Sequence, residues 1–368
     1  MKSSSGKYFI GLDHVRAFAA FLVFTWHFIH VNKGHLAPPP TFPLSLLTEG
    51  HTGVALFMTL SGYLFAKLLD GKQIKYTSFI CNRFLRLAPL LSVVIIIVAF
   101  QKYLAGEDLI SYTKDIVDGI IKPSLPNGGW SITIEFHFYL LLPVLLFLSN
   151  KWKYSLILVL LAAVIMRAML HQALGQIQTL SFWTIIGRVD QFLLGIWAYQ
   201  FRGNISRKHF LAFSTLFMFA VFYWYFDSKG GFYMSPSYPS PSLIWIYLPT
   251  IEGAAYALAI TWYDNSFQHS TGKVSRFVAL IGTYSYSIYL LHVFVVFELC
   301  AAVNFYVVNL SNIHVAMLLS VCCFSLMVPI GYISYTFIEL PFLRFRTKYI
   351  IEDELKNVSR SAVMDENA

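Results

Sequence analysis

Arg16 and His27 share one apolar stretch, residues 10–31. Eleven residues on a helix, at about 1.5 Å and 100° each, separate them by roughly 16 Å along the axis and only about 20° around it. One helix face then presents a guanidinium near one end and an imidazole near the other. An imidazole titrates near neutrality and suits the removal of a proton from a hydroxyl. Glu135 begins another apolar stretch and is expected at a depth similar to His27, where a carboxylate would orient and charge-stabilise the ring. Arg83 and Arg86, in Arg83-Phe84-Leu85-Arg86-Leu87-Ala88-Pro89, fall on one helix face. Paired guanidiniums suit phosphate oxygens, although by default such a pair anchors a cytoplasmic loop. The plainer reading of the first pair is an Arg16 that snorkels or pairs with Asp13 and a His27 that rests at the outer interface. Arg188, Asp190, Glu252 and His292 are also deep; Arg188 and Asp190 point to different faces and are expected to pair with other helices.

These residues must be held by membrane helices. Of the 368 residues 57% are hydrophobic and only 12% charged, far from a soluble domain. The apolar runs do not alternate, so a β-barrel is excluded and an all-α polytopic integral membrane protein remains. Ten spans are expected at about 10–31, 51–69, 87–105, 132–149, 154–173, 181–200, 209–226, 242–262, 280–300 and 315–338. The first is long enough to span and lacks a small-residue cleavage site, so it reads as a retained helix. Lys and Arg outside these spans divide 18 to 4 between the two sets of alternating connections. By the positive-inside rule both termini are cytoplasmic. The net charge of +8 is thus a topology signal and implies no nucleic acid. Residues 34–48, with Pro38, Pro39 and Pro40, and residues 106–130, with Asn127-Gly128-Gly129, should cover the outer face. Cys81, Cys300, Cys322 and Cys323 show neither metal-ligand nor disulfide spacing and read as small buried apolar residues. The chain divides into a transmembrane domain, 1–343, and a short polar cytoplasmic tail, 344–368, expected to fray.

The Gly11-Leu12-Asp13-His14-Val15-Arg16-Ala17 segment followed by His27 resembles the first-helix motif of membrane acyltransferase family 3, the bacterial O-acyltransferases of surface glycans. Further blocks resemble the same family in order: Gly50-His51-Thr52-Gly53 through Ser61-Gly62-Tyr63, Arg83 to Pro89, Trp130-Ser131-Ile132-Thr133-Ile134-Glu135 through Tyr139 to Pro143, and Tyr284-Ser285-Tyr286 through Leu291-His292. Arg188 to Gly195 and Glu339-Leu340-Pro341 also fit. His14 stands where many members carry Gly, and Phe136-His137 replaces a more usual polar pair.

The resemblance implies a bacterial inner-membrane, multi-pass enzyme embedded in lipid, with acetyl-CoA as co-substrate, no permanently bound cofactor or metal, and a glycan or lipid-linked glycan as acceptor. Arg83 and Arg86 would hold CoA phosphates at the cytoplasmic mouth, and Arg16 would line the channel above them. His27 would be the base at the outer end, oriented by Glu135, with Tyr139 or Ser61 as donors to the developing oxyanion and His292 as an acceptor contact. A transient acyl-His27 is the second mechanism. Acceptor identity, acyl length and oligomeric state stay open. The competing class is a transporter or flippase, in which buried Arg, Glu and His form a relay without chemistry; the sequence shows no repeated half to support it.

Overall fold

The computed structural model describes residues 8–30, 40–70, 72–152 and 154–351. Backbone amides in hydrocarbon must be satisfied within each spanning element, and the chain is accordingly helical nearly throughout. In order come α1 (Ile10–Ile29), α2 (Ser45–Thr48), α3 (Gly53–Leu69), α4 (Tyr76–Leu104), α5 (Leu109–Ile121), α6 (Gly129–Lys151), α7 (Ser155–Leu174), α8 (Gln178–Trp183) and α9 (Ile185–Gln200). There follow α10 (Arg202–Ile205), α11 (His209–Ser228), α12 (Ile244–Ser266), α13 (Lys273–Thr283), α14 (Ser285–Leu291), α15 (Val293–Ala302), α16 (Ile313–Ser334) and α17 (Leu340–Leu343).

Helix occupies all ten expected positions, but not in one form. Among the described residues seven helices are long and apolar enough to cross a membrane, and an eighth qualifies if α14 and α15, bent by 64°, are one span. The remaining two positions are α1, which carries Asp13 and Arg16, and the 16-residue α9, which carries Arg188 and Asp190. The expected sixth span is broken at Thr184, whose hydroxyl caps α9 by accepting from the Ile186 amide at 3.2 Å.

Burial separates a central group from a lipid-facing one. In the α3 span 78% of the residues are buried, against 17% in α4 and in α7. α3 packs on α1, α9 and α12. The α3–α9 contact depends on two glycines: a Cβ on Gly62 would lie 2.1 Å from the Phe192 carbonyl oxygen, and one on Gly195 2.1 Å from that of Thr59. Small residues substitute close backbone approach for a hydrophobic driving force that lipid does not supply.

The loops sort into two sets. Asp70 pairs with Arg202, Lys67 with Asp264, and Asn82 bonds Thr347 at one end. At the other, Thr48 bonds Asp227, Phe232 donates to Glu49 and Trp183 bonds Tyr238. This is the partition that the alternating spans require.

Two expectations need correction, and a third gains detail. The start of the tail does not fray: β2 (Ile350–Ile351) pairs antiparallel with β1 (Gln73–Ile74), and Tyr349 is buried, because the polar segment folds back against the start of α4. The rest of 344–368 lies outside the described residues. Cys300 and Cys323 are buried as expected, whereas Cys81 and Cys322 are exposed on the surfaces of their helices. Within 106–130 the chain forms α5, capped by Asp108 and bearing exposed Ile110, Val117, Ile120 and Ile121, the pattern of a helix lying in an interface. Pro38 and Pro39 lie outside the described residues.

Candidate active site

Two cavities approach each other inside the central group. The inner one encloses about 1480 Å³ of empty space, its mouth included, and is lined by Arg16, Arg83, Arg86, Ser61, Glu135 and Arg346 among others. α4 enters at this end, and the three-residue spacing brings Arg83 and Arg86 to one face as the sequence suggested. The Arg83 guanidinium lies 5.4 Å from the Phe65 ring centroid and 5.7 Å from that of Phe79. Arg16 pairs with Asp13 one turn back.

Arg346 was not singled out by sequence, where a cation just after the last span reads as a topology anchor. The β1–β2 pairing folds it back into the cleft. Burial, and then the neighbouring Arg86 and Arg83 guanidiniums, push its pKa down from the ordinary value to about 10. The Nε atoms of both Arg83 and Arg346 are buried without a hydrogen-bond partner among the described residues. Converging cations with unused donors are suited to a polyanion. Glu339, in a π-helical stretch, Tyr335–Glu339, accepts from Ser287 and lines the same cleft.

The outer cavity, about 950 Å³ measured in the same way, holds His27 and His292. His292 sits at the 64° bend between α14 and α15, and the bend carries its Nε2 to 3.2 Å from His27 Nδ1. The network assigns the tautomers. His292 Nδ1 lies 2.6 Å from the Tyr289 carbonyl oxygen and must donate to it, so Nε2 is the bare acceptor. His27 Nδ1 lies 2.9 Å from the Val23 carbonyl oxygen and must also carry its hydrogen, shared between Val23 and His292. His27 Nε2 is then the basic lone pair, with no partner among the described residues.

The two cavities share Val54 and Tyr289 in their walls. Tyr289 donates to the Gly128 carbonyl oxygen at 3.3 Å and stands 5.9 Å from the His292 ring. Arg16 opens into one cavity and His27 into the other, as their places on α1 foretold.

Glu135 is not brought to His27. It faces the inner cleft, where Tyr139 donates to it and Ser61 does so at 3.4 Å. Similar depth does not fix direction: Glu135 turns to α3, and His27 turns to the α14–α15 bend. Tyr139 and Ser61 are therefore committed to Glu135 and are not donors beside His27, whereas His292, expected only as an acceptor contact, is the direct partner of the imidazole. Arg188 pairs with Glu252 at 3.5 Å, and Asp190 holds Arg167 through bonds of 2.9 and 2.6 Å, the expected pairing with separate helices.

Known proteins share sequence with most of this chain. A family model described as an acyltransferase domain matches residues 9–341. The chain is 26% identical over 394 aligned positions to O-acetyltransferase OatA of Staphylococcus aureus (strain NCTC 8325 / PS 47), covering 92% of this chain and 58% of that protein. The same figures hold for O-acetyltransferase OatA of Staphylococcus aureus strain COL. The chain thus spans 58% of the length of these curated relatives. No solved structure matches.

Proposed function

We propose, from the premise that this chain belongs to the acyltransferase family whose model covers residues 9–341, that it is an O-acyltransferase moving an acetyl group from acetyl-CoA on the cytoplasmic side to a glycan hydroxyl outside the bacterial inner membrane. The carrying observation is the meeting of an arginine-lined inner cleft and a histidine-lined outer cavity at Val54 and Tyr289. The 18 to 4 division of Lys and Arg supports a cytoplasmic arginine cleft.

In this reading Arg83, Arg86 and Arg346 bind the CoA phosphates, and Arg16 lines the path of the pantetheine arm. The thioester reaches the junction, where the acceptor hydroxyl gives its proton to His27 Nε2 as its oxygen attacks the carbonyl carbon. The C–S bond breaks, and the departing thiolate takes a proton back from the imidazolium. His292 acts through His27: its lone pair accepts from Nδ1, beside the Val23 carbonyl oxygen, and stabilises the protonated ring. Tyr289 could serve the developing oxyanion only by giving up its 3.3 Å bond to the Gly128 carbonyl oxygen. Glu135 holds Ser61 and Tyr139 along the donor path.

The test uses the purified protein in nanodiscs with labelled acetyl-CoA. Release of CoA that depends on an added glycan, together with label on that glycan, supports the reading. In sealed proteoliposomes, glycan-independent uptake of labelled acetyl-CoA with the thioester intact, and no label on glycan, would replace it with transport.

A further inference from the structure

Glu339 is a buried charge of the inner cleft that the proposed reaction does not use. It is 2% exposed, and the hydroxyl of Ser287, on α14, donates to its Oε1. The chain around it, Tyr335–Glu339, widens to a π-helix and packs on α4, the helix of Arg83 and Arg86. π-Helical turns are rare and collect at functional sites. Arg86 and Arg346 are the cations whose fields act on Glu339, and neither makes a direct ion pair among the described residues. A carboxylate taken out of water costs stability unless it is closely paired, so packing alone does not account for this one.

The donor gives it a use. CoA carries its phosphates whether or not it is acetylated, so arginines that hold them hold product as tightly as substrate. Such uniform binding lowers half-saturation without speeding the chemical step, and it delays the departure of product. A fixed negative charge near Arg86 and Arg346 offsets part of their attraction for phosphate. It also steadies the two cations while the cleft is empty. The effect acts through space and requires no contact between Glu339 and the donor.

We propose that Glu339 is a resident counter-ion of the donor cleft: its carboxylate competes with the CoA phosphates for Arg86 and Arg346, weakens the hold on CoA and so speeds product release. The inference rests on the acetyl-CoA reading and adds to it a residue that sets how long the product stays. Its sign is opposite to that of a donor contact, whose loss would loosen CoA.

The test reads binding apart from transfer. The full chain in nanodiscs is loaded with labelled CoA, and release is followed after a chase with excess unlabelled CoA. Glu339→Gln removes the charge and keeps a carbonyl oxygen for Ser287, with Glu339→Met in its place where the Gln variant loses its melting transition. Ser287→Ala removes the hydrogen bond and keeps the charge. The expected result is release slower by about fivefold or more in the Glu339 variant, the effect of one partly screened charge, with half-saturating acetyl-CoA lowered by a similar factor and no slowing in Ser287→Ala. Parental release in the Glu339 variant overturns the counter-ion, as does faster release, which would make Glu339 a donor contact. Equal slowing in Ser287→Ala overturns it too, since the bond and not the charge would then control release. Failure of the parent protein itself to hold labelled CoA sinks the acetyl-CoA reading and the counter-ion with it.

Discussion

The two histidines make a graded prediction. His27→Ala removes the proposed base and should lower glycan-dependent acetyl transfer by about 10²- to 10⁴-fold, the usual contribution of a positioned general base. His292→Ala leaves the base in place but deletes the acceptor 3.2 Å from its Nδ1. The Val23 carbonyl oxygen, at 2.9 Å, still takes the hydrogen, so the tautomer survives and the loss is that of one buried hydrogen-bond partner. At about 1–3 kcal/mol that is roughly a 5- to 150-fold drop. His292→Gln offers a carbonyl oxygen to the same hydrogen and should recover part of it. Because His292 acts only through His27, the double variant should be no slower than His27→Ala alone. The assay is initial-rate transfer of labelled acetyl in nanodiscs, with each variant checked for expression and melting. A double variant slower than His27→Ala by the full His292→Ala factor would show independent roles and refute the relay. Parental activity in His27→Ala would remove the base itself.

Arg346→Met keeps the apolar stem and removes one of three converging cations; half-saturating acetyl-CoA should rise about tenfold or more, while the melting temperature without donor does not fall, since like-charge repulsion is relieved. Gly62→Ala should lower the melting temperature and the membrane yield, because its Cβ would lie 2.1 Å from the Phe192 carbonyl oxygen; an unchanged melting curve would mean that α3 and α9 do not pack this closely. Cysteines placed at Lys75 and Lys114, in a background without the four native ones, should label from opposite sides with an impermeant thiol reagent. Lys114→Cys should react in intact spheroplasts and Lys75→Cys only after permeabilisation, and reaction of both from outside would overturn the topology. Glu135→Gln should cost at least tenfold less activity than His27→Ala, and an equal loss would return Glu135 to the base.

Sequence carried the fold class and the two-sided layout because both depend on composition along the chain. It carried Arg16 and His27 for a related reason: two residues on one regular helix have a fixed separation. It failed where a contact joins different helices. The depth of Glu135 followed from its place at the start of α6, but its direction depended on which helix lay opposite, and Ser61 of α3 stands there. His292 was legible as a deep polar residue and illegible as the partner of His27, because a run of apolar residues reads as one straight span and conceals the 64° bend. Arg346 was hidden by the same rule that gave the topology, since any cation after a last span satisfies it.

The partition of charge between the cavities follows from what each end must exclude. The inner cleft sets Arg16, Arg83, Arg86 and Arg346 against the carboxylates of Asp13, Glu135 and Glu339, so the proposed donor would enter a cleft with cationic charge to spare. The outer cavity presents a neutral His27–His292 pair, neither ring ionised in the assigned network. A cation there would take the base out of service and would draw the donor's phosphates past the junction at Val54 and Tyr289. In the proposed reaction, Arg83, Arg86 and Arg346 at one end and uncharged imidazoles at the other would let the thioester arrive while the nucleotide stays behind.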